Sequence, residues 1–284
     1  AAPAGGAAAP AGGEAAPAGG AAAPAGGAAA PAGGEAAPAG GEAAPAGGEA
    51  APAGGEAAIP DLRGAEIRVQ GVTVRQPGRA LDAPFGASLI ARAGEVVAIA
   101  GPSGAGKSTL VDVMLGLRSA DAGEVALAMP DGRSVAVAAL DREAWHRHVA
   151  WVPQHPYCFP GTVAENVRLA ASDASEAAVR AALTAVGLGE LDPGVRLGEG
   201  GSGLSSGQRR RLGVARALLR DGDFLFLDEP TAGLDAASEA MILRAVRDAA
   251  HLRNRAVVLV AHRPAALAIA DRVVTIVARS EEPA

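Results

Sequence analysis

The sequence predicts a mixed α/β domain with a parallel sheet, a small antiparallel β part and a helical insert, preceded by a repeat segment without a fold. Three observations carry this prediction. Short apolar strands alternate with helical stretches in the second half of the chain, which is typical of a parallel sheet. A hairpin signal precedes the strands of the second half. Successive helical stretches lie between that hairpin and those strands. The first 56 residues are a repeat that lacks large apolar side chains.

The repeat consists of eight copies of Ala-Ala-Pro-Ala-Gly-Gly followed by Ala or Glu. Each copy carries a proline, which removes a helix donor, and a glycine pair, which maximises backbone entropy. No side chain in it buries enough area to offset the free-energy cost of ordering. We therefore expect residues 1–57 to form a disordered tether and residues 58–284 to form the folded domain, with a helical subdomain at about 155–220. The alternative is an expanded repeat without a role of its own.

The charge of the folded part is close to zero. The chain has 31 acidic and 25 basic residues, and five of the acidic residues are glutamates of the repeat. Without them 26 acidic residues remain against 25 basic ones, so the net charge is about −1 rather than −6. This near-neutrality gives no case for nucleic-acid binding. The single cysteine excludes an internal disulfide, and no apolar run reaches the ~20 residues of a membrane-spanning helix.

Strands are expected where short apolar or alternating runs are bounded by turn residues. Asp131-Gly132 separates two such runs and signals a hairpin. The expected strands cover residues 66–75, 95–100, 125–128, 134–137, 149–154, 224–227, 256–260 and 273–277.

Helices are expected where apolar residues recur with helical spacing. Asp173 and Ser205 are suitable N-caps because their side chains can accept a backbone hydrogen bond. The expected helices cover residues 107–117, 162–171, 173–186, 205–219 and 236–249.

Gly101-Pro-Ser-Gly-Ala-Gly-Lys-Ser108 fits the phosphate-loop pattern G-x-x-x-x-G-K-[ST] in full. It follows an expected strand and opens an expected helix, which is the context that the pattern requires. Its glycines let backbone N–H groups turn towards phosphate oxygens, and the helix N-terminus adds partial positive charge. Lys107 is the one lysine among 25 basic residues. We expect it to reach the β- and γ-phosphates, and Ser108 to bind Mg²⁺. The alternative, a glycine-rich turn, does not explain this lysine.

Two adjacent carboxylates, Asp228 and Glu229, end an apolar strand that begins at Phe224. Charged groups at a buried strand end are costly unless they bind a cation or a proton. Asp228 is suited to Mg²⁺ and Glu229 to the role of general base for an attacking water. The alternative is a solvated acidic turn.

The segment Leu204-Ser-Ser-Gly-Gln208, followed by three arginines, indicates a second anion-binding helix end. Ser205 can cap this helix, but the segment cannot easily serve the chain's own phosphate loop as well. A second nucleotide-facing helix end therefore favours a second subunit. The alternative is an ordinary capped helix with solvated arginines.

Together these motifs resemble the ATP-binding domains of ABC transporters over residues 62–279. The phosphate loop, Leu204–Gln208 and Leu227–Thr231 resemble the Walker A, signature and Walker B elements. Gln154 resembles the Q-loop glutamine, Ala232-Gly-Leu-Asp235 the D-loop, and His262 the switch histidine.

The resemblance implies a P-loop NTPase core, MgATP as substrate, and a head-to-tail dimer that encloses two ATP molecules. Catalysis would fall to Glu229, His262 and Lys107, and Mg²⁺ would be held by Ser108, Gln154 and Asp228. The implied nucleotide contacts are Gly101, Pro102, Ser103, Gly104, Ala105, Gly106, Lys107, Ser108, Thr109, Gln154, Ser205, Gly207 and Gln208.

The partners implied are a second ATP-binding domain and the transmembrane domain of an exporter, which places the chain at the cytoplasmic face of the inner membrane. The segments at 160–166 and 198–201 resemble exporter-type domains, and those at 144–154 and 199–208 resemble the cysteine and glutathione exporters of cytochrome bd assembly. Two features depart from the family. No aromatic occurs at Val74 to Gln76, where one usually stacks on adenine, and Ser206 replaces a glycine of the signature.

A different class with the same motifs is the ATPase head of DNA-repair or chromosome-maintenance proteins. Such heads usually carry a coiled coil or a zinc insert between the two phosphate-facing segments. Lys107 and Ser205 are 98 positions apart, without heptads or cysteine pairs between them. A regulatory module that binds ATP without hydrolysing it is disfavoured by Lys107, Asp228, Glu229 and His262.

Overall fold

A computed structural model describes residues 62–76 and 82–277 of the chain. The expected tether at 1–57 and its boundary with the folded domain lie outside the described residues. Within them the elements are, in chain order, β1 (Glu66–Thr73), β2 (Ala87–Ala91), β3 (Val96–Ala100), α1 (Lys107–Met114), β4 (Ala122–Ala128), β5 (Ser134–Ala136), α2 (Arg142–Arg147), β6 (Val149–Val152), β7 (Gly161–Thr162), α3 (Val163–Arg168), α4 (Glu176–Ala185), β8 (Arg196–Leu197), α5 (Ser206–Leu219), β9 (Phe224–Asp228), α6 (Ala236–His251), β10 (Ala256–Val260), α7 (Pro264–Ala268) and β11 (Arg272–Thr275).

The expected parallel sheet is confirmed. Its order is β11-β3-β10-β9-β6, and each neighbouring pair runs parallel. Successive side chains of a strand point to opposite faces. Phe224 and Phe226 of β9 accordingly enter one apolar core, whereas Leu225 and Leu227 enter the other. Both faces are covered, which explains why these strands read as continuous apolar runs.

The small antiparallel part is a four-stranded sheet with the order β2-β1-β4-β5. The hairpin of β4 and β5 forms around Asp131-Gly132 as expected, and Gly132 adopts a φ of 88° there. The core between this sheet and the parallel sheet contains α1 residues such as Leu110 and Met114. The antiparallel sheet thus packs over the helix that follows the phosphate loop.

The helices α3, α4 and α5 make up the expected helical insert. Ser205 caps α5 as expected, but the N-cap of α4 is Ser175 rather than Asp173. The Ser175 side chain accepts from the N–H of Ala178, so the helix begins two residues later than the pattern indicated. The helix after the phosphate loop is also shorter than expected and ends at Met114, because Gly116 follows with a φ of 70°.

In the part of the chain that the structure describes, no helix is both long and apolar enough to cross a membrane.

Candidate functional site

The phosphate loop runs from the end of β3 into α1, as its sequence indicated. Gly106 is the N-cap of α1, with φ 90° and no side chain to bond the first amides of the helix. A Cβ at this position would lie 2.2 Å from the Pro84 nitrogen, and one at Gly101 would lie 2.2 Å from the Ile276 oxygen. Both positions therefore require glycine, for backbone conformation and for space.

Lys107 lies across this loop. Its Nζ donates to the carbonyl oxygens of Gly101 at 2.9 Å and Pro102 at 2.8 Å. Ala105 is fully buried beneath the loop. The ammonium thus already lies among the loop atoms, where it can exchange carbonyl oxygens for phosphate oxygens.

A cleft of about 560 Å³ surrounds the loop. It brings together ten of the residues that the sequence singled out, and it adds Gln76, which was noted only as the place of a missing aromatic. Its lining consists of Gln76, Gly101, Ser103, Gly104, Gly106, Lys107, Ser108, Thr109, Gln154, Glu229 and His262.

Asp228 lies beside Ser108 at the end of β9 and is only 7% exposed. Burial raises the pKa of its carboxyl above the ordinary value, and the charge of Glu229 acts in the same direction. A hydrogen bond from Ser108 and the charge of Lys107 oppose the rise. The Oδ1 atom of Asp228 is buried without a hydrogen-bond partner. A buried carboxylate oxygen without a partner, next to a hydroxyl, suits a hard divalent cation.

Glu229 is the meeting point of three segments that are distant in sequence. Gln154 Nε2 donates to its Oε2 at 3.2 Å, and His262 Nδ1 lies 3.1 Å from its Oε1. The residue has a φ of 49°, a left-handed conformation that is costly for a side chain of this size. Its N–H donates to the Val260 carbonyl at 3.1 Å, so β10 holds this conformation in place.

Two arginines hold these segments together through contacts that sequence reasoning did not indicate. Arg263 donates to the Thr231 carbonyl at 2.9 Å and pairs with the buried Glu239 at 2.9 Å. Arg210 of α5 donates to the carbonyl oxygens of Ala232 and Gln154. Arg263 follows His262, and Arg210 is one of the three arginines after Gln208, but no local pattern reveals which carbonyls they reach.

The segment around Ser205 lies apart from this cleft. Ser205, Gly207 and Gln208 are absent from the residues that line it. Instead the Ser205 hydroxyl accepts from the Gln208 N–H at 3.1 Å, and the Gln208 side chain accepts from the Ser205 N–H at 2.8 Å. This capping box satisfies the N–H groups of Ser205 and Gln208 from within the chain, and the Ser205 side chain is exposed.

A family model described as ABC transporter matches residues 85–232, which is more than half of the chain. The chain belongs to the ABC transporter family. Membership confirms the P-loop fold, ATP as the bound nucleotide and the assignment as an ATP-hydrolysing domain. It gives no support to the alternative of a DNA-repair or chromosome-maintenance ATPase.

Several curated relatives are named as ATP-binding/permease proteins. The mycobactin import ATP-binding/permease protein IrtB of Mycolicibacterium thermoresistibile is 41% identical over 194 residues, which cover 66% of this chain and 32% of that protein. The glutathione/L-cysteine transport system ATP-binding/permease protein CydC of Escherichia coli K12 is 39% identical over 191 residues, with the same coverage.

A solved structure of a bacterial Atm1-family ABC exporter with ATP bound has a TM-score of 0.68, at 27% identity over 78% of this chain and 39% of that one. The chain spans about a third of the length of the curated relatives that it matches.

Proposed function

We propose that this ABC domain hydrolyses MgATP with Glu229 as the general base, and that hydrolysis drives transport through a membrane domain outside this chain. The convergence of Gln154, Glu229 and His262 on the phosphate-loop cleft carries the proposal. A carboxylate beside the phosphate loop can act as a general base, which a solvated acidic turn cannot do. A water between the carboxylate and the γ-phosphate would be oriented for attack.

The reaction transfers the γ-phosphoryl group to water. The water oxygen bonds to the γ-phosphorus, the bond from phosphorus to the bridging oxygen breaks, and ADP leaves with that electron pair. Glu229 takes the proton of the water, and His262 holds the carboxylate through the contact at 3.1 Å. Lys107 moves its hydrogen bonds from the loop carbonyls to the β- and γ-phosphates, where its charge offsets theirs.

The residues around Asp228 fit Mg²⁺. Ser108 and the unpaired Oδ1 of Asp228 supply oxygen ligands at one place, and the exposed amide of Gln154 can add a third. Among the described residues no cluster of three or more His, Cys, Asp or Glu side chains could hold a metal alone. This suits Mg²⁺, which takes few protein ligands and completes its shell with phosphates and water. The cation, when bound, would neutralise charge on the leaving phosphate.

A second copy of the domain, or a related one, is the partner that the Ser205 segment requires. Its hydroxyl and the N-terminus of α5 form an exposed anion-binding end that the chain's own cleft does not use. Two chains paired head to tail would bring each such end to the other's phosphate-loop cleft.

The membrane partner is expected on a surface with exposed apolar side chains. Leu117, Trp151 and Leu169 are 44%, 41% and 56% exposed and line one cleft of about 320 Å³. Tyr157 and Phe159 are also exposed, with ring centroids 4.9 Å apart. A concentration of large apolar groups on a polar surface favours a protein contact. A membrane domain docked there would hold this chain at the cytoplasmic face of the membrane.

The cargo is determined by that membrane partner. The relatives named for mycobactin import and for glutathione and L-cysteine transport are about equally identical to this chain. The segments at 144–154 and 199–208 suggest a thiol cargo. The test is transport of labelled cysteine or glutathione into vesicles that contain the complex of this chain with its membrane domain.

The test of hydrolysis is Glu229→Gln, which keeps the shape of the side chain and removes the base. Steady-state phosphate release should fall by about a hundred- to ten-thousandfold, while ATP binding persists. Glu143→Gln is the matched control, because the same change on an exposed side chain of α2 should leave turnover unaltered. Phosphate release equal to that of the wild type in Glu229→Gln would refute the assignment, and loss of release on chelation of Mg²⁺ would support it.

The test of the dimer is sedimentation of Glu229→Gln with and without MgATP. Bound ATP adds to the interface, so the dimer should appear with nucleotide and persist because the γ-phosphate stays in place. Ser205→Arg should abolish it. A monomer at every protein concentration with saturating MgATP, together with normal hydrolysis in Ser205→Arg, would rule out the shared site.

A further inference from the structure

The turn that carries His262 lies at the surface. His262 stands between the end of β10 and the start of α7, and 56% of its side chain is exposed. The next residue, Arg263, is the N-cap of α7 but gives that helix no side-chain cap, and the helix has only five residues. The contact of His262 with Glu229 at 3.1 Å therefore depends on what fixes this turn.

Arg263 joins this turn to the segment that follows Glu229. Its Nη1 donates to the Thr231 carbonyl at 2.9 Å and to the Leu234 carbonyl at 3.3 Å. The two segments leave the ends of β9 and β10, which are neighbours in the parallel sheet. One guanidinium thus connects the chain just after His262 with the chain just after Glu229, beyond the point where the sheet itself holds them.

Glu239 fixes the direction of that guanidinium. Its Oε2 lies 2.9 Å from Nη2 of Arg263, which leaves Nη1 for the two carbonyls. The carboxylate stands on the first turn of α6 and is only 5% exposed. The same helix is anchored in the core by Ile242 and Val246, which are fully buried. Because the helix is anchored and the ion pair is shielded from water, Glu239 can hold Arg263 in one orientation.

Stability alone does not explain a buried carboxylate at this place. Replacing a buried ion pair by apolar residues is often neutral or stabilising. The Oε1 of Glu239 is also buried without a hydrogen-bond partner, which adds to the cost of the pair. Glu239 is not among the described residues that line the phosphate-loop cleft. Its carboxylate therefore reaches the cleft through Arg263 rather than by touching the nucleotide.

We infer that Glu239 is a positioning residue for hydrolysis. Through Arg263 it holds the turn of His262 against the segment after Glu229, and so keeps the imidazole on the carboxylate of the general base. The inference rests on the proposed function, because it concerns how that same general base is positioned. It adds a side chain of α6, outside the cleft, to the groups that determine the rate, whereas nucleotide binding is left to the phosphate loop.

The first test follows the His262 ring in the full chain without nucleotide. The chain has five histidines, and the resonances that disappear in His262→Ala identify those of His262 in a spectrum of isotope-labelled imidazole nitrogens. Glu239→Gln keeps the size of the side chain and removes its charge. It should shift or broaden the His262 resonances and leave those of the other histidines in place. Glu176→Gln is the matched control, because Glu176 also lies in the first turn of a helix and pairs with an arginine at 2.8 Å, but is exposed.

The second test is steady-state hydrolysis. Glu239→Gln should lower kcat for phosphate release by about ten- to a hundredfold, since a small misplacement of a catalytic group costs about that much. The Kd of MgATP should stay within about twofold of that of the unchanged chain. Glu239→Asp keeps the charge on a shorter side chain and should recover part of kcat and part of the His262 signal. It also takes the place of Glu239→Gln if that variant does not fold.

The outcomes separate this inference from the proposed function. If the unchanged chain releases no phosphate from MgATP, the proposed function fails and this inference fails with it. If the unchanged chain hydrolyses MgATP and Glu239→Gln keeps its kcat, or loses kcat without a change at His262, the inference alone is overturned. It is also overturned if all the histidines change together, or if Kd weakens as much as kcat falls, because both results indicate a general loss of structure.

Discussion

The starts of α1 and α5 differ in how their free backbone N–H groups are satisfied. Every helix begins with backbone N–H groups that lack a partner within the helix. At α1 the N-cap is Gly106, which has no side chain to accept from them. At α5 the N-cap is Ser205, and a capping box with Gln208 satisfies the N–H groups of Ser205 and Gln208. The first helix end is therefore left open for a ligand, whereas the second is stable without one.

The difference has a functional meaning. The open end carries Lys107 and lies in the cleft, so it is prepared for a triphosphate within a single chain. The closed end, the capped start of α5 at Ser205, is exposed and keeps its conformation without a ligand. It is therefore available to bind an anion held by another chain. The start of α1 thus binds the triphosphate first. The start of α5 completes a nucleotide site only when a partner chain binds.

The largest expected effect comes from removing the charge at the open end. Lys107→Ala should weaken MgATP binding about a hundredfold, because charge-assisted hydrogen bonds contribute about 1.5–3 kcal/mol each. Lys107→Arg should restore only part of the affinity, since a planar guanidinium replaces a compact ammonium. The measurement is an equilibrium titration, with Arg180→Ala as a control that removes an exposed charge from α4. Unchanged affinity in both Lys107 variants would mean that the open end does not bind the triphosphate.

The second-largest expected effect is the difference in the free energy of unfolding between substitutions at Gly106 and at Gly207, the glycines of the two helix ends. Gly106→Ala would place a Cβ 2.2 Å from the Pro84 nitrogen at a φ of 90°, so we expect a loss of about 3 kcal/mol in the free energy of unfolding. Gly207→Ala would place one 3.1 Å from Leu234 Cδ2, a side chain that can move. There the higher helix propensity of alanine offsets the contact, and the change should stay within about 1 kcal/mol. Urea unfolding of both variants measures the difference, and equal losses would contradict it.

The smallest effect concerns the cap of the closed end. Ser205→Ala should lower the free energy of unfolding by about 1 kcal/mol, because the N–H of Gln208 loses its acceptor. MgATP affinity of the single domain should not change. Ser206→Ala is the matched control, since the same hydroxyl is removed one residue further on, where it caps nothing, and the change should stay within about 0.5 kcal/mol. A loss of MgATP affinity in Ser205→Ala alone would show that the closed end serves its own chain's cleft.

Local patterns in the sequence determined much of this molecule. The phosphate loop, the five parallel strands, the hairpin at Asp131-Gly132 and the cap at Ser205 all depend on residues close together in the chain. The N-cap of α4 shows the limit of such patterns, because Asp173 and Ser175 are both suitable caps and the helix begins after Ser175. The strand β2 and the pair β7 and β8 were missed because they are short, with five residues in β2 and two in each strand of the pair.

The tertiary structure alone decided how the separate motifs meet. Gln154 and His262 are 75 and 33 positions from Glu229, yet both contact its carboxylate. Gln76 and Thr109, 33 positions apart, share a hydrogen bond at the far end of the cleft. Arg210 and Arg263 bind backbone carbonyls that no sequence pattern indicates. The reason is that local residues determine helix ends, strand faces and turns, whereas the neighbours of a side chain in the cleft depend on how β3, β9, β10 and β6 lie side by side in one sheet.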